Sequence, residues 1–376
     1  MQTKFDNYYN PVRLNRYPAS KNNSLQAWNA ADSYLLEHLH NNFALSDDSK
    51  VLIFNDAFGA LTLSLQQFKP TSISDSFLSK KAIETNAQLN GYANGSITVD
   101  YHLKDDGEKY DYVLIKLPKI IDYLHEFLLS IQNSLHKKSI ILIAAMVKNI
   151  PKTLWVVLER DFGLTKTSLT KKKAKIIELK YQNSMTKSHY PMSFIQENTN
   201  LEIFSYSNVF SKNSLDIGTR FLLQNMPGFS NIKSIIDLGC GNGVVGLNLA
   251  IQYPEAQVTF VDESFMSIQS AYLTCIQNQI NTSQHLFKVN DSLTNFDENY
   301  CDLIVCNPPF HQSHNLSIDS ALKMFYQSYT SLTKGGYFIV VANRHLPYYS
   351  HLKKIFKNCK TIANNSKFNL FLMEKK

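Results

Sequence analysis

Residues 233 to 246 read Lys-Ser-Ile-Ile-Asp-Leu-Gly-Cys-Gly-Asn-Gly-Val-Val-Gly, and no other stretch restricts the possible folds so strongly. A β-branched run (Ile235, Ile236) enters alternating glycines, after which Val244, Val245, Leu247, Leu249 and Ala250 supply an apolar helical face. Strand, glycine turn and helix in that order open a nucleotide-binding βαβ unit, in which the glycines let the backbone approach a ligand closely. The turn predicts an α/β sheet with an adenosine-like compound at a strand's carboxyl end.

Glycine spacing alone leaves the compound open. Gly241, Gly243 and Gly246 satisfy dinucleotide spacing, whereas Gly239, Gly241 and Gly243 give the tighter alternation of S-adenosylmethionine sites. The acids discriminate. A pyrophosphate favours a helix N-terminus free of competing anions, yet Asp237 ends the first strand, Asp262 and Glu263 end the next, and Asp291 lies further on. Acidic surroundings in a chain of formal charge +7 suit a ligand carrying a sulfonium and an ammonium. Asp262 or Glu263 can also accept both ribose hydroxyls. Asp237, Gly239, Cys240, Gly241, Gly243, Asp262 and Asp291 therefore form the candidate cofactor set, with S-adenosyl-L-methionine as the cofactor.

A second motif runs from Cys301 to Phe310, Cys-Asp-Leu-Ile-Val-Cys-Asn-Pro-Pro-Phe. Asp302 to Cys306 predicts a buried parallel strand, and Asn307-Pro308-Pro309-Phe310 a stiff loop at its carboxyl end. The prolines remove backbone donors and fix φ, so the Asn307 side-chain oxygen and the Pro308 carbonyl stand as oriented acceptors. Such a pair can hold the N–H groups of a conjugated exocyclic amine and aim its nitrogen at a methyl carbon. Phe310 would stack on a flipped base. Asn307, Pro308, Pro309 and Phe310 are the candidate catalytic residues, and Asn307 also borders the cofactor set. His311 and His314 read as polar lining, because a methylated amine sheds its proton without a strong base.

Taken together, Asp-Leu-Gly-Cys-Gly-Asn-Gly (Asp237 to Gly243) and Asn-Pro-Pro-Phe-His (Asn307 to His311) resemble the class I methyltransferases that modify guanine N2 in ribosomal RNA. The resemblance extends to Asn208-Val209-Phe210-Ser211 and Leu215-Asp216-Ile217-Gly218, which in that family precede the cofactor turn and help close its site. It also covers Val341-Ala342-Asn343-Arg344-His345-Leu346. Leu25-Gln26-Ala27-Trp28 and Asn55-Asp56-Ala57-Phe58-Gly59-Ala60-Leu61 are similar to the large-subunit (23S) enzymes in particular. Small-subunit relatives carry a different N-terminal half. Asp291 departs from the Asn of relatives. The resemblance implies in-line methyl transfer from S-adenosylmethionine to N2 of one guanine in 23S ribosomal RNA, naked or in an assembly intermediate, with the base flipped beside Asn307, Pro308 and Phe310. A 16S guanine-N2 enzyme is one alternative. Adenine-N6 and protein-glutamine methyltransferases also use such loops, usually with Tyr in place of Phe310. A nicotinamide dehydrogenase would need hydride-site residues that the sequence does not show, and a non-enzymatic RNA-binding factor would need neither motif.

The 376 residues suffice for two domains. A positive balance favours a polyanionic partner such as RNA, with no DNA or membrane expected. Met1 to Asn10 lacks an apolar signal core and the longest apolar run, Ile140 to Val147, is too short to cross a bilayer, so the expected location is cytoplasmic. Cys240, Cys275, Cys301, Cys306 and Cys359 show neither paired spacing nor histidine companions, which predicts reduced thiols and no metal site.

An internal repeat completes the reading. Lys50 to Gly59 resembles Ser234 to Gly243, Thr71 to Asp75 mirrors Val258 to Asp262, Tyr110 to Lys119 mirrors Tyr300 to Phe310, and Ser139 to Ala145 matches Tyr337 to Val341. The expected class is α/β: two tandem Rossmann-like class I methyltransferase lobes, doubly wound with mostly parallel sheets, the N-terminal one degenerate. Residues 1–180 form the degenerate lobe, 181–200 a polar linker and 201–376 the catalytic lobe. In the first lobe Phe58 obstructs the turn, and Lys116 and Lys119 stand where the second has Asn307 and Phe310, a substitution that suits phosphates and RNA binding. Lys171, Lys172, Lys173 and Lys175 suit either phosphates or a solvated strand edge. Ser24 is expected to cap a helix through Leu25, Trp28, Leu35, Leu36 and Leu39, following Arg13, Arg16 and Lys21. Arg220 and Asp216 are expected to form an ordinary surface ion pair, with lining of the cofactor entrance as the alternative.

Overall fold

The computed structural model describes residues 3–19, 25–180, 184–308 and 314–376, the last stretch without the side chains of 314–317. Its chain divides into two compact units, Met1–His189 and Tyr190–Lys376.

In the first unit β1 (Lys4–Phe5) and β2 (Val12–Arg13) make an antiparallel ribbon. Helix α1 (Ala30–Asn42) starts from Asn29, whose side chain accepts from Ala31 N–H while Asp32 accepts from the Asn29 N–H. The helix therefore starts later than the sequence suggested: Asn29 and Asp32 supply both halves of a capping box, Trp28 precedes the helix and packs on Phe5, and Ser24 lies outside the described residues. Leu35, Leu36 and Leu39 are buried as expected.

The alternation then runs β3 (Val51–Phe54), α2 (Ala60–Ser64), β4 (Thr71–Ile73), α3 (Phe77–Leu89), β5 (Thr98–Asp100), β6 (Tyr112–Lys116), α4 (Ile121–Ser130), β7 (Ile140–Met146), α5 (Thr153–Phe162), β8 (Thr165–Thr167) and β9 (Ala174–Lys180). Among the described residues these strands form one sheet ordered β5-β4-β3-β6-β7-β9-β8, parallel except at β7-β9 and β9-β8.

The second unit repeats this path after a ribbon of β10 (Met192–Ile195) and β11 (Glu202–Ser205). It continues with α6 (Ile217–Gln224), β12 (Ser234–Leu238), α7 (Val244–Gln252), β13 (Gln257–Asp262), α8 (Phe265–Gln277), β14 (Leu286–Val289), β15 (Cys301–Cys306), α9 (His314–Ser331), β16 (Leu332–Asn343), α10 (Tyr348–Phe356), β17 (Lys360–Asn364) and β18 (Phe368–Glu374). Its order among the described residues, β14-β13-β12-β15-β16-β18-β17, matches the first sheet strand for strand, including two antiparallel junctions at one edge. The apolar strands are buried on both faces, as a sheet covered by crossover helices requires. Ile235 packs with Val245, Val258 and Leu303 on one face, and Ile236 with Val261, Ile304 and Phe338 on the other. Helix α7 lies close on β13: a Cβ on Gly246 would sit 2.2 Å from the Phe260 ring.

Most of the expected linker belongs to one unit or the other. Ser184 N–H donates to Gln132 at 2.8 Å, Thr186 Oγ1 to Asp161 Oδ1 at 2.9 Å, and Ser188 Oγ to Glu126, all within the first unit. Residues 192–195 form β10, because alternation in Met-Ser-Phe-Ile turns Phe194 onto the second core. Residues 181–183 lie outside the described residues.

Those contacts surround His125. Its Nδ1 lies 3.7 Å from Glu126 Oε1 and its Nε2 2.7 Å from Asp161 Oδ2. Glu126 and Asp161 together hold the imidazole pKa above the ordinary histidine value against the opposing effect of burial. A raised folded pKa means that its stabilisation is full below about pH 6.5 and is lost as pH rises through the folded value. Urea melts at pH 6 and pH 9 are expected to show a smaller stability difference in His125→Gln than in the parent.

Candidate active site at the carboxyl ends of the second sheet

Strands β14, β13, β12 and β15 are consecutive in the sheet, so their carboxyl ends lie in a row. Leu238 registers with Cys306 and Asp262 with Val289, which sets Gly239 beside Asn307 as both chains leave the sheet. The structure thereby gathers Asp237, Gly239, Cys240, Gly241, Gly243, Asp262, Asp291, Asn307 and Pro308 at one edge. Pro309, Phe310 and His311 lie outside the described residues.

Gly239, Gly241 and Gly243 have φ of +75°, +54° and +79°, values that side chains rarely adopt. Among the described residues, a Cβ on Gly241 would meet nothing within 4 Å, and one on Gly239 would meet only Met324 at 3.7 Å and the Asn307 carbonyl at 4.0 Å. At Gly243 it would fall 2.6 Å from Ala271 Cβ. The third glycine thus serves helix packing, and the first two leave a backbone cradle that a side chain would fill. That open cradle fits an adenosine-type cofactor.

Carboxylates brace the turn. Asp237, buried, accepts from Gly246 N–H at 2.8 Å. Burial pushes its carboxyl up to about 7, opposed by that hydrogen bond and reinforced by the charge of Asp262. Asp262 accepts from Gly241 N–H at 2.9 Å through Oδ2 and from Ser264 N–H at 3.0 Å through Oδ1. Asp291 is buried and ion-paired with Lys323 of α9, a partner that the sequence reading did not name.

Asn307 shows a more specific arrangement. Its Nδ2 donates to Thr219 Oγ1 at 2.9 Å and to Asp216 Oδ2 at 3.2 Å. Its Oδ1 is buried and has no hydrogen-bond partner among the described residues. Asp216 also caps α6 by accepting from Thr219 N–H at 2.8 Å. The expected Arg220–Asp216 pair is therefore absent, and Arg220 bonds Glu197 at 2.6 Å. Sequence reasoning overlooked Thr219; the signal was the Asp-x-x-Thr spacing of a helix N-cap.

The first lobe follows the same backbone path and fills it. Asn55 and Gly59, at φ +65° and +89°, occupy the places of Gly239 and Gly243. Asp56 accepts from the N–H groups of Gly59, Ala60, Leu61 and Thr62 and from the Thr62 hydroxyl, at 2.8–3.2 Å. The Phe58 ring carries the Arg16 guanidinium, 4.7 Å from its centroid. Lys116 does not offer its charge to phosphate: Nζ lies 2.6 Å from Asp32 Oδ1 and 3.3 Å from Asn29 Oδ1, with 13% of the side chain exposed. Lys171 is paired with Glu37, whereas Lys119, Lys172 and Lys173 are exposed. Among the described residues no His, Cys, Asp and Glu group could hold a metal ion, and no helix is long and apolar enough to cross a membrane.

Comparison with known proteins gives a consistent picture. The RLMG N-terminal domain family matches residues 2–183 and the Methyltransferase small domain family residues 200–372. The ribosomal RNA large subunit methyltransferase G of Psychromonas ingrahamii is 38% identical over 361 residues, covering 94% of each chain. A T. thermophilus 16S rRNA N2 G1207 methyltransferase, solved with AdoMet and guanosine, shares the fold at TM-score 0.78 and 17% identity, over 100% of this chain and 98% of that one.

Two outcomes are expected. A carboxyl whose folded pKa is raised disfavours the native state increasingly as pH climbs from about 4 towards the folded value. Asp237→Asn should therefore gain thermal stability relative to the parent between pH 5 and 8 in a Tm series. Lys116→Met strands the buried Asp32 carboxylate and should cost about 3 kcal/mol in denaturant melts, leaving the salt dependence of RNA binding unchanged.

Proposed function

Because the chain belongs to the ribosomal RNA large subunit methyltransferase G family, we propose that it methylates the exocyclic N2 of one guanine in 23S ribosomal RNA. S-adenosylmethionine supplies an electrophilic methyl carbon on a sulfonium. The reading rests on the Asn307 oxygen, a buried acceptor that has no partner among the described residues and stands beside a glycine cradle. Leaving such an atom unsatisfied costs about 1–3 kcal/mol, and an amine N–H removes that penalty as it binds.

In this reading Gly239 and Gly241 let the cofactor lie against the backbone, and Asp262 accepts the ribose hydroxyls. The acids of the site favour a cationic ligand. Asp291 reaches the adenine edge with its charge balanced by Lys323. Asn307 Oδ1 and the Pro308 carbonyl accept the two N–H groups of the amine, which turns the nitrogen lone pair towards the methyl carbon. A guanine inside a helix cannot meet both acceptors, so the base is flipped, and Phe310 stacks on it. The departing proton goes to water or the polar lining, because the methylated amine is acidic before it loses that proton.

The first lobe, its turn closed by Asp56, holds RNA through exposed cations such as Lys119, Lys172 and Lys173. Ribosomal RNA as substrate sets the reaction in the cytoplasm. Charge reversal at those lysines should weaken RNA binding and flatten its salt slope by about one unit per lost phosphate contact.

The decisive experiment is transfer of labelled methyl to protein-free 23S RNA, 16S RNA and both assembled subunits, followed by nucleoside analysis. N2-methylguanosine confined to 23S RNA is expected. Label in 16S RNA instead, or no RNA label, would refute the reading. Asn307→Ala should lower kcat about 10²- to 10³-fold and leave cofactor Kd within about threefold in calorimetry.

A further inference from the structure

The role given to Asn307 depends on which end of its amide faces the amine, and a side-chain amide can turn over with almost no change of shape. The oxygen accepts an N–H; the nitrogen would repel it. Something must therefore fix the orientation. Nδ2 is the shared donor to Thr219 Oγ1 and Asp216 Oδ2, at 2.9 and 3.2 Å. A carboxylate only accepts, so the turned-over amide would set oxygen against oxygen. Asp216 is itself immobilised. It accepts from Thr219 N–H at 2.8 Å, and a Cβ on Gly218 would come within 3.0 Å of its Oδ2 and 3.3 Å of the Phe368 ring.

Resting on the methyl-transfer reading above, we infer that Asp216 and Thr219 are positioning residues that lock the Asn307 amide with its oxygen towards the methyl acceptor. The lock also confers selectivity. A fixed acceptor welcomes the guanine N2 amine and rejects groups that only accept, such as guanine O6.

Asp216→Ser with Thr219→Val is the informative variant, because Ser caps helices about as well as Asp and Val keeps the shape of Thr and its backbone N–H. Together they remove both acceptors of Nδ2, the Asp216 carboxylate and the Thr219 hydroxyl. Its kcat on 23S RNA should fall about 10²-fold, with cofactor Kd and Tm near the parent. The control, Asp216→Ser with Thr219→Ser, returns the hydroxyl acceptor at 219 and should recover at least about tenfold over Asp216→Ser with Thr219→Val. Unchanged kcat in Asp216→Ser with Thr219→Val, or no recovery in the control, would overturn the lock.

A second measurement needs no substrate. In full-length protein labelled with 15N-asparagine, the Asn307 side-chain amide is identified by its loss in Asn307→Ser. Both of its protons should exchange slowly in the parent and rapidly in Asp216→Ser with Thr219→Val. Rapid exchange in the parent would overturn the lock even if 23S RNA is methylated. Slow exchange without transfer to any RNA would support the lock and sink the reaction proposed above.

Discussion

Three residues of positive φ within five positions, Gly239, Gly241 and Gly243, bring β12 to a stop and start α7, and the catalytic lobe is arranged around that constraint. Residues with side chains are penalised in such conformations, by about 1–2 kcal/mol each. The neighbouring strand reinforces the turn: Gly239 N–H and Cys240 N–H both donate to the Val261 carbonyl, and Gly241 N–H to Asp262. The tight exit then lets α7 settle on β13, where Gly246 leaves room for Phe260. A backbone that must turn this way thus sets the helix position, and the helix position sets the core.

Comparison of the lobes separates fold from site. Both sheets have one strand order, and both turns keep positive φ at equivalent places. The helix N-terminus after the turn needs acceptors in either case. In the first lobe Asp56 supplies them from within, whereas in the second the glycine cradle faces open space. Filling the turn keeps the fold, since a buried carboxylate with several N–H donors satisfies the helix start even though burial raises its pKa above the ordinary aspartate value. It removes only the room for a ligand.

That division explains what the sequence disclosed. Strands, helices and the tandem repeat were legible because they follow from periodicity and from local glycine chemistry, and the row of site residues at the sheet edge follows from topology. Partner choice was not legible. Lys116 read as an available cation, yet its carboxylate lies 84 positions away. Asp216 read as the partner of nearby Arg220, yet it serves Asn307 across 91 positions. Charged and amide groups bond whatever acceptor the fold delivers, and sequence distance carries almost no information about that. Helix starts erred for a milder reason, since Ser24 and Asn29 are both good caps and only packing selects between them.

Lys116 ends β6 where Asn307 follows β15, since Ile115 registers with Phe54 as Cys306 does with Leu238. Each is held by a carboxylate from the start of the helix that precedes its sheet, Asp32 at α1 and Asp216 at α6. The two lobes thus share one clasp between a strand end and a helix start. What differs is the chemistry of the clasped group. An ammonium has donors only, so pairing it with a carboxylate leaves no acceptor for an amine. An amide given the same partner keeps its oxygen. Replacing lysine by asparagine at that one position leaves the clasp intact and adds a buried acceptor with its direction already fixed, which is what an amine-binding site requires and what the first lobe lacks.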